Sequence, residues 1–183
     1  MMIDPKKCWR EGAAPDPLPT DAELAEHGAL VGFQIVAVRF LTEWLPLDPV
    51  VKQRKPGTII YADAKTVAAE VQKSLTAIGL SMVVGLDSGT RNSATLHSVK
   101  LDPFRFSVSI AESPITNRGE RGTGITASCA AELAMLCFSG ARVGNGTASV
   151  VAFSTGGELG NLQTADITLQ TTYLIPTPAN LLT

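Results

Sequence analysis

The sequence predicts an α+β fold, in which a mostly antiparallel sheet is flanked by two helices, with a C-terminal β-hairpin and an extended N-terminal arm. Three observations predict it. Apolar residues recur at helical spacing in residues 64–78 and fill an alanine-rich stretch at 125–138. Residues 105–111 alternate between apolar and polar, as a half-exposed strand does. Two β-rich runs, 148–153 and 165–174, enclose a glycine-rich turn, which predicts the hairpin.

Size and charge limit the classes of function. The 183 residues suit one ordinary domain, and a chain of this size can bury roughly 70% of its unfolded surface. The net charge is −2 and only 17% of residues are charged, so we expect no large surface of positive electrostatic potential. We therefore expect no specific nucleic-acid binding.

The three cysteines fit neither a disulfide framework nor a metal knuckle in their spacing. We therefore predict a reduced protein. Cys129 and Cys137 are interpreted as small apolar core residues, because free cysteine is often buried.

The N-terminal region is predicted as an arm and a short helix. Residues 1–20 are rich in proline and lack periodicity, which favours an extended arm. Thr20 is followed three residues later by Glu23, a pattern that predicts a helix start. We expect this helix to run to about Glu26 and to end before Gly28.

The next apolar run is predicted to be a core element. Residues 31–41 contain β-branched and aromatic side chains, and we interpret them as a buried strand. The longest apolar stretch, residues 28–41, is broken by Gln34 and Arg39 and is shorter than the roughly 20 residues that span a bilayer. We expect no direct membrane binding.

Residues 63–93 predict a helix, a strand and a turn in that order. Asp63 is a candidate N-cap for an amphipathic helix over 64–78, which Gly79 ends. An apolar run at 80–86 predicts a strand, and the polar stretch 87–93 predicts a turn.

Residues 112–124 are polar, rich in glycine and without apolar periodicity, so they predict a mobile loop before the helix at 125–138. Glycines 119, 122 and 124 precede a helix, a place where backbone N–H groups attract anions. A phosphate-binding loop would need Lys-Ser or Lys-Thr after its last glycine, and Ile125-Thr126 stands there. We predict no nucleotide or other cofactor.

The sequence also lacks a recognisable catalytic or metal-binding pattern. His27 and His97 lie far apart, without cysteine or carboxylate at ligand spacing. Ser88 and Ser113 lack the Gly-x-Ser-x-Gly frame of a nucleophile elbow. We expect assembly or binding rather than catalysis, in a single domain over residues 21–176 followed by a C-terminal tail at 177–183.

The order of the predicted elements carries a family resemblance. An amphipathic helix at 64–78 precedes a strand that runs into Ile110-Ala-Glu-Ser-Pro-Ile-Thr-Asn-Arg118. Gly122-Thr-Gly124 then leads into a second helix, and a hairpin closes the pattern. From Asp63 to Ile175 this order resembles the tail-terminator (tail-completion) proteins of tailed bacteriophages.

The resemblance implies a virion structural protein. Copies of the chain would form a closed ring, commonly a hexamer, that caps the finished tail tube and docks it to the head–tail connector or neck. The implied partners are further copies of the chain, the tail tube protein and the connector, in the tail or neck of a virion assembled in the host cytoplasm. The first ~60 residues depart from the family's usual start, and we expect the arm to add a strand to a neighbour's sheet.

The polar loop holds the predicted contact residues, which are Asn117, Arg118, Glu120 and Arg121. They would order against a neighbouring subunit or the tube. Two alternatives stay open: another neck, head–tail joining or tail-tube subunit, and a small-ligand-binding domain with its site in loops 87–91 and 117–124.

Overall fold

The computed structural model describes residues 8–48, 50, 59–62, 66–94 and 98–176. The helices in these ranges are α1 (Asp21–Glu43), α2 (Val67–Ile78), the short α3 (Pro114–Asn117) and α4 (Ala127–Phe138), with a 3-10 turn at Leu45–Leu47. The strands are β1 (Ile59–Tyr61), β2 (Leu80–Ala94), β3 (Ser98–Glu112), β4 (Arg142–Val143), β5 (Gly146–Thr147), β6 (Ser149–Leu159) and β7 (Leu162–Pro176).

The main sheet has five strands in the order β1-β2-β3-β7-β6. Strand β1 runs parallel to β2, and every other neighbouring pair is antiparallel. Strands β4 and β5 form a separate small ribbon. The α+β class, the mostly antiparallel sheet and the C-terminal hairpin formed by β6 and β7 are thus confirmed.

One face of the sheet forms the core. The alternating residues Phe106, Val108 and Ile110 of β3 are buried there, as their period of two predicts. Helices α1 and α4 cover this face, with the ring of Phe33 4.8 Å from Phe104 and 5.2 Å from Phe106, centroid to centroid. Helix α2 contacts β1 and β2 from the opposite face of the sheet. Its buried residues therefore contribute little to this core.

The prediction of a strand at residues 31–41 is wrong, because these residues belong to helix α1. The buried positions are Gly32, Phe33, Gln34, Val36, Ala37, Phe40 and Leu41, which recur every three or four residues. Burial against a sheet decides the conformation here and overrides the strand preference of β-branched and aromatic residues. Within the described residues, α1 alone is long and apolar enough to cross a membrane, judged by length and composition.

Gly28 divides α1 into two parts, with φ 78° and ψ 171° inside the helix. The first part is the predicted short helix, and it starts with a complete capping box between Thr20 and Glu23. The chain folds back at Gly28, so that Arg39 forms an ion pair with Glu23. The Tyr173 hydroxyl donates to the carbonyl of Ala29 at 2.8 Å and so ties the kink to β7. Burial raises the pKa of Tyr173 to about 12.

The described part of the predicted arm packs on its own domain. Trp9 is buried, its ring lies 4.8 Å from that of Trp44 and 5.4 Å from that of Phe40, and it forms a β-bridge with Trp44. Residues 8–20 therefore do not project as an extended arm, because the aromatic side chain of Trp9 completes the core beside α1. Residues 1–7 lie outside the described residues.

The predicted turn at 87–93 is wrong as well, because β2 continues to Ala94 and pairs with β3 throughout. All seven residues of this stretch are exposed, and the pairing shifts register three times between Leu86 and Ser93. An exposed, irregular strand shows no alternation from which it could be recognised.

Helix α2 is described from Val67, while residues 63–65, His97 and the predicted tail at 177–183 lie outside the described residues. Of the two cysteines predicted in the core, Cys137 is buried and Cys129 is exposed on α4. The Cys137 Sγ lies 3.7 Å from the carbonyl oxygen of Phe40, and burial raises the pKa of its thiol.

Candidate functional site

The segment predicted as a mobile loop contains the helix α3 and a buried polar network. At the end of β3, the Glu112 side chain is 1% exposed. Its Oε1 accepts a hydrogen bond from Asn117 Nδ2 at 2.9 Å, and its Oε2 accepts one from the backbone N–H of Ala127 at 2.7 Å. One carboxylate therefore joins β3, α3 and the first residue of α4.

Asn117 is the centre of this network and is 2% exposed. Its Nδ2 also donates to the carbonyl of Ile125 at 2.8 Å, and its Oδ1 accepts from the Thr123 backbone N–H at 3.0 Å and from the Thr123 hydroxyl at 2.7 Å. Both donors and both acceptor positions of the amide are thus used. The side chain holds the ends of the segment together.

Two glycines allow the backbone of Asn117 to sit this deep. Gly79, which ends α2, has φ +76°, and a Cβ at this position would collide with the Asn117 backbone. A Cβ at Gly122 would collide with the Asn117 carbonyl group. The backbone of Asn117 is therefore packed between Gly79 at the end of α2 and Gly122 of the same segment.

The start of α4 already has an anionic partner. Thr126 caps the helix by accepting from the Cys129 N–H at 3.2 Å, and the carboxylate of Glu112 accepts from Ala127. Helix starts favour negative charge through the unpaired N–H groups and the helix dipole. The glycines at 119, 122 and 124 thus lie beside a helix start at which Glu112 takes the place of a bound anion.

The four predicted contact residues separate into two groups. Asn117 cannot present its side chain to a partner, because that side chain is buried and bonded within its own subunit. The side chains of Arg118, Glu120 and Arg121 are exposed in the turn that the network supports. We call residues 118–121 the contact turn.

Ile115 is an exposed residue of this region that the sequence prediction missed. It lies on α3, next to the contact turn, with 85% of its surface exposed. A single large apolar residue in an otherwise polar segment is the signal that could have identified it, although isolated exposed apolar residues are common.

The outer strand of the hairpin, β6, presents a second candidate surface. Every residue from Ser149 to Gly157 is exposed, and none of them is charged. The large apolar side chains Val150, Val151 and Phe153 are 37%, 43% and 62% exposed. The sequence predicted the hairpin and missed this surface, because strand propensity does not tell which strand lies at an edge.

The structure separates the two loops that a small-ligand site would need. Ser88 pairs with Arg105, whereas the network begins at Glu112, seven residues further along β3. At about 3.4 Å per residue, this distance is roughly 24 Å. The stretch 87–91 and the contact turn therefore do not form one pocket. Among the described residues, no group of three or more His, Cys, Asp or Glu side chains could hold a metal ion.

Comparison with known proteins adds little to this picture. No protein-family model matches the chain, and no curated protein matches it. Two solved structures from Akkermansia muciniphila are similar to it at 12% sequence identity each. One, a protein without its transmembrane region, is covered to 91% by 90% of this chain, with a TM-score of 0.30. The other is covered to 86% by 94% of this chain, with a TM-score of 0.32. Similarity this weak carries no functional argument.

Proposed function

We propose that the chain is a virion structural protein, a tail terminator whose copies form a ring that caps the phage tail tube and joins it to the head–tail connector or neck. Its partners are other copies of itself, the tail tube protein and the connector proteins. It acts by assembly, without catalysis, cofactor, membrane or nucleic-acid binding, and it resides in the tail or neck of the virion.

The observation that carries this proposal is the exposed edge of β6. A long edge strand offers unpaired N–H and C=O groups to another chain, and soluble proteins usually protect such edges with charges or proline. Residues 149–157 contain neither charges nor proline, and they expose Val150 and Phe153. The pairing of this edge with β7 shifts register between Val150 and Ala152 and between Thr155 and Gly157. An edge of this kind suits a protein whose normal state is an assembly with other chains.

The contact turn supplies a different surface. Arg118, Glu120 and Arg121 are exposed there, and Ile115 stands beside them. The buried network fixes the backbone of this turn before any partner arrives, which reduces the ordering cost of binding. We propose that the turn contacts the tail tube or the connector, while the edge of β6 joins subunit to subunit.

Imaging of the purified chain by negative-stain electron microscopy tests the proposal. A terminator is expected to form discrete closed rings of uniform diameter at all protein concentrations at which it assembles, because its contacts close on themselves. Long tubes grown from the chain alone would instead favour a tail-tube subunit. A population of single subunits at every concentration would contradict the proposal.

A further inference from the structure

The first part of α1, residues 21–27, is held much less firmly than the rest of the helix. None of these seven residues is buried. Beyond Gly28, by contrast, α1 buries seven residues, the first of them Gly32 and the last Leu41. A helix as short as residues 21–27 is marginal in water, and most helical stability in proteins comes from packing of an apolar face. We call residues 21–27 the leading segment.

A groove of about 360 Å³ lies between the leading segment and the end of β7. Leu24 of the leading segment lines it together with Tyr173 and Leu174 of β7. The ring of His27 is also loosely placed, because its centroid lies 6.5 Å from that of the Tyr61 ring. The leading segment is therefore not packed closely onto the sheet.

The chain is fixed to the rest of the fold on both sides of the leading segment. Before it, the carbonyl of Pro17 accepts a hydrogen bond from the N–H of Gly144 at 2.8 Å. After it, the carbonyl of Ala29 accepts one from the Tyr173 hydroxyl at 2.8 Å. A movement of the leading segment thus leaves both of these bonds in place.

Gly28 is the point about which the leading segment can turn. Its φ of 78° and ψ of 171° lie in a region of backbone conformation that essentially only glycine adopts. Among the described residues, a Cβ at this position would meet nothing within 4 Å. The backbone at Gly28 therefore has both the conformational freedom and the space to change.

The side chain of Glu23 holds the leading segment in its present position. Its Oε2 accepts a hydrogen bond from the backbone N–H of Thr20 at 2.8 Å, which completes the capping box. Its Oε1 forms the ion pair with Arg39, which lies in the buried part of α1. One carboxylate thus stabilises the start of the helix and joins the two parts of α1.

The surroundings of Arg39 lower the cost of breaking this ion pair. Arg39 lines a cavity together with three further carboxylates, those of Glu11, Asp16 and Glu43. A charge that loses its partner is destabilising chiefly when it is left uncompensated. If Glu23 moves away, the guanidinium group of Arg39 still lies among negative charges.

We infer that the leading segment opens about Gly28 while the rest of the fold stays closed, and that the ion pair between Glu23 and Arg39 holds it in the closed position. Opening moves Leu24 away from the groove and widens the access to Tyr173 and Leu174. This conformational change goes beyond the proposed function and does not depend on the ring, because all of its parts belong to one chain.

Hydrogen exchange measured by mass spectrometry, with and without low concentrations of urea, tests the opening. The backbone amides of residues 24–27 should exchange about a hundredfold or more faster than those of residues 36–41, because local opening costs less free energy than global unfolding. Urea should accelerate exchange at 36–41 and leave it nearly unchanged at 24–27, since local opening exposes little surface. Equal rates and equal urea dependence in the two stretches would overturn the inference.

Two variants test the ion pair. Glu23→Gln keeps an acceptor for the capping box and removes the charge, so exchange at residues 24–27 should become about fivefold faster. Glu26→Gln is the matched control, because it removes the same charge from an exposed position of the same segment and should leave these rates unchanged. Equal rates in the two variants would overturn the role of the ion pair. Exchange without any protection in the wild-type chain would show that the segment is not held closed at all.

A second pair of variants tests the turning point. Gly28→Ala strains the closed conformation, and because opening relieves this strain, exchange at residues 24–27 should become about tenfold faster or more. Gly12→Ala is the matched control, since Gly12 has a φ of +76° and equal space around it but lies outside α1. Unchanged exchange at residues 24–27 in Gly28→Ala would overturn the assignment of Gly28.

Discussion

At the scale of single residues, the side chain of Asn117 explains why residues 113–126 have a defined structure despite their polar, glycine-rich sequence. Four hydrogen bonds converge on its amide, and they come from or go to Glu112, Thr123 and Ile125. A buried network in which every group is paired rigidifies the chain around it. The network therefore holds the backbone that carries the contact turn in one conformation.

The change Asn117→Ala should lower the free energy of unfolding by about 3 kcal/mol, because it leaves buried partners, including the carboxylate of Glu112, without hydrogen bonds. Urea unfolding followed by circular dichroism measures this loss. Arg118→Ala, one residue away and exposed, is the control and should change the stability by less than about 0.5 kcal/mol. If Asn117→Ala lowered the free energy of unfolding as little as the control does, the network would contribute nothing to stability.

The sequence could identify the polar residues of this site and not their arrangement. Asn117 and Arg118 are both polar and adjacent, and both were predicted to face a partner. Whether such a side chain faces water or the interior depends on contacts with residues distant in sequence, here Gly79 and Glu112. Burial of this kind has no local signature.

At the scale of secondary structure elements, α1 shows which patterns were informative. The capping box at Thr20 and the stop at Gly28 are local features, and both were predicted correctly. Residues 31–41 were assigned to a strand, because their composition favours strands and the sheet that buries them is formed much later in the chain. The hairpin was found from its turn, whereas the exposed edge of β6 depends on the strand order of the whole sheet.

The ion pair of Glu23 should give the stability a specific pH dependence. Partial desolvation acts to raise the pKa of Glu23, but the hydrogen bonds from Thr20 and Arg39 and the charge of Arg39 outweigh it and lower the pKa below its usual 4.5. A carboxyl group with a lowered pKa stabilises the fold fully above its unfolded pKa, and this contribution is lost as the pH falls through the folded pKa.

The test compares the wild-type chain with Glu23→Gln, which keeps an oxygen acceptor for the capping box and removes the charge. The difference in unfolding free energy between them should be largest near neutral pH and should shrink as the pH falls below about 4. Thermal melts from pH 3 to pH 7 measure it. A difference that stays constant over this range would contradict the assignment.

At the scale of the whole molecule, the described residues form an α+β fold in which α1 and α4 cover one face of the sheet and β6 is an exposed outer strand. Trp9 ties the described part of the N-terminal region to its own core, so we propose that the edge of β6, and not residues 8–20, carries the contact between subunits. The two proposed kinds of contact therefore lie on separate surfaces. In the proposed ring, the edge of β6 would join the subunits, and the contact turn with Ile115 would meet the tube or connector.

The native mass of the purified chain tests the ring most directly. Light scattering coupled to size-exclusion chromatography, over a hundredfold range of loading concentration, should give one species of about six times the chain mass of 19.2 kDa. Its mass should not grow as the concentration rises, because a closed ring has no free edge. A mass of 19.2 kDa at every concentration, or one that increases without limit, would contradict the account.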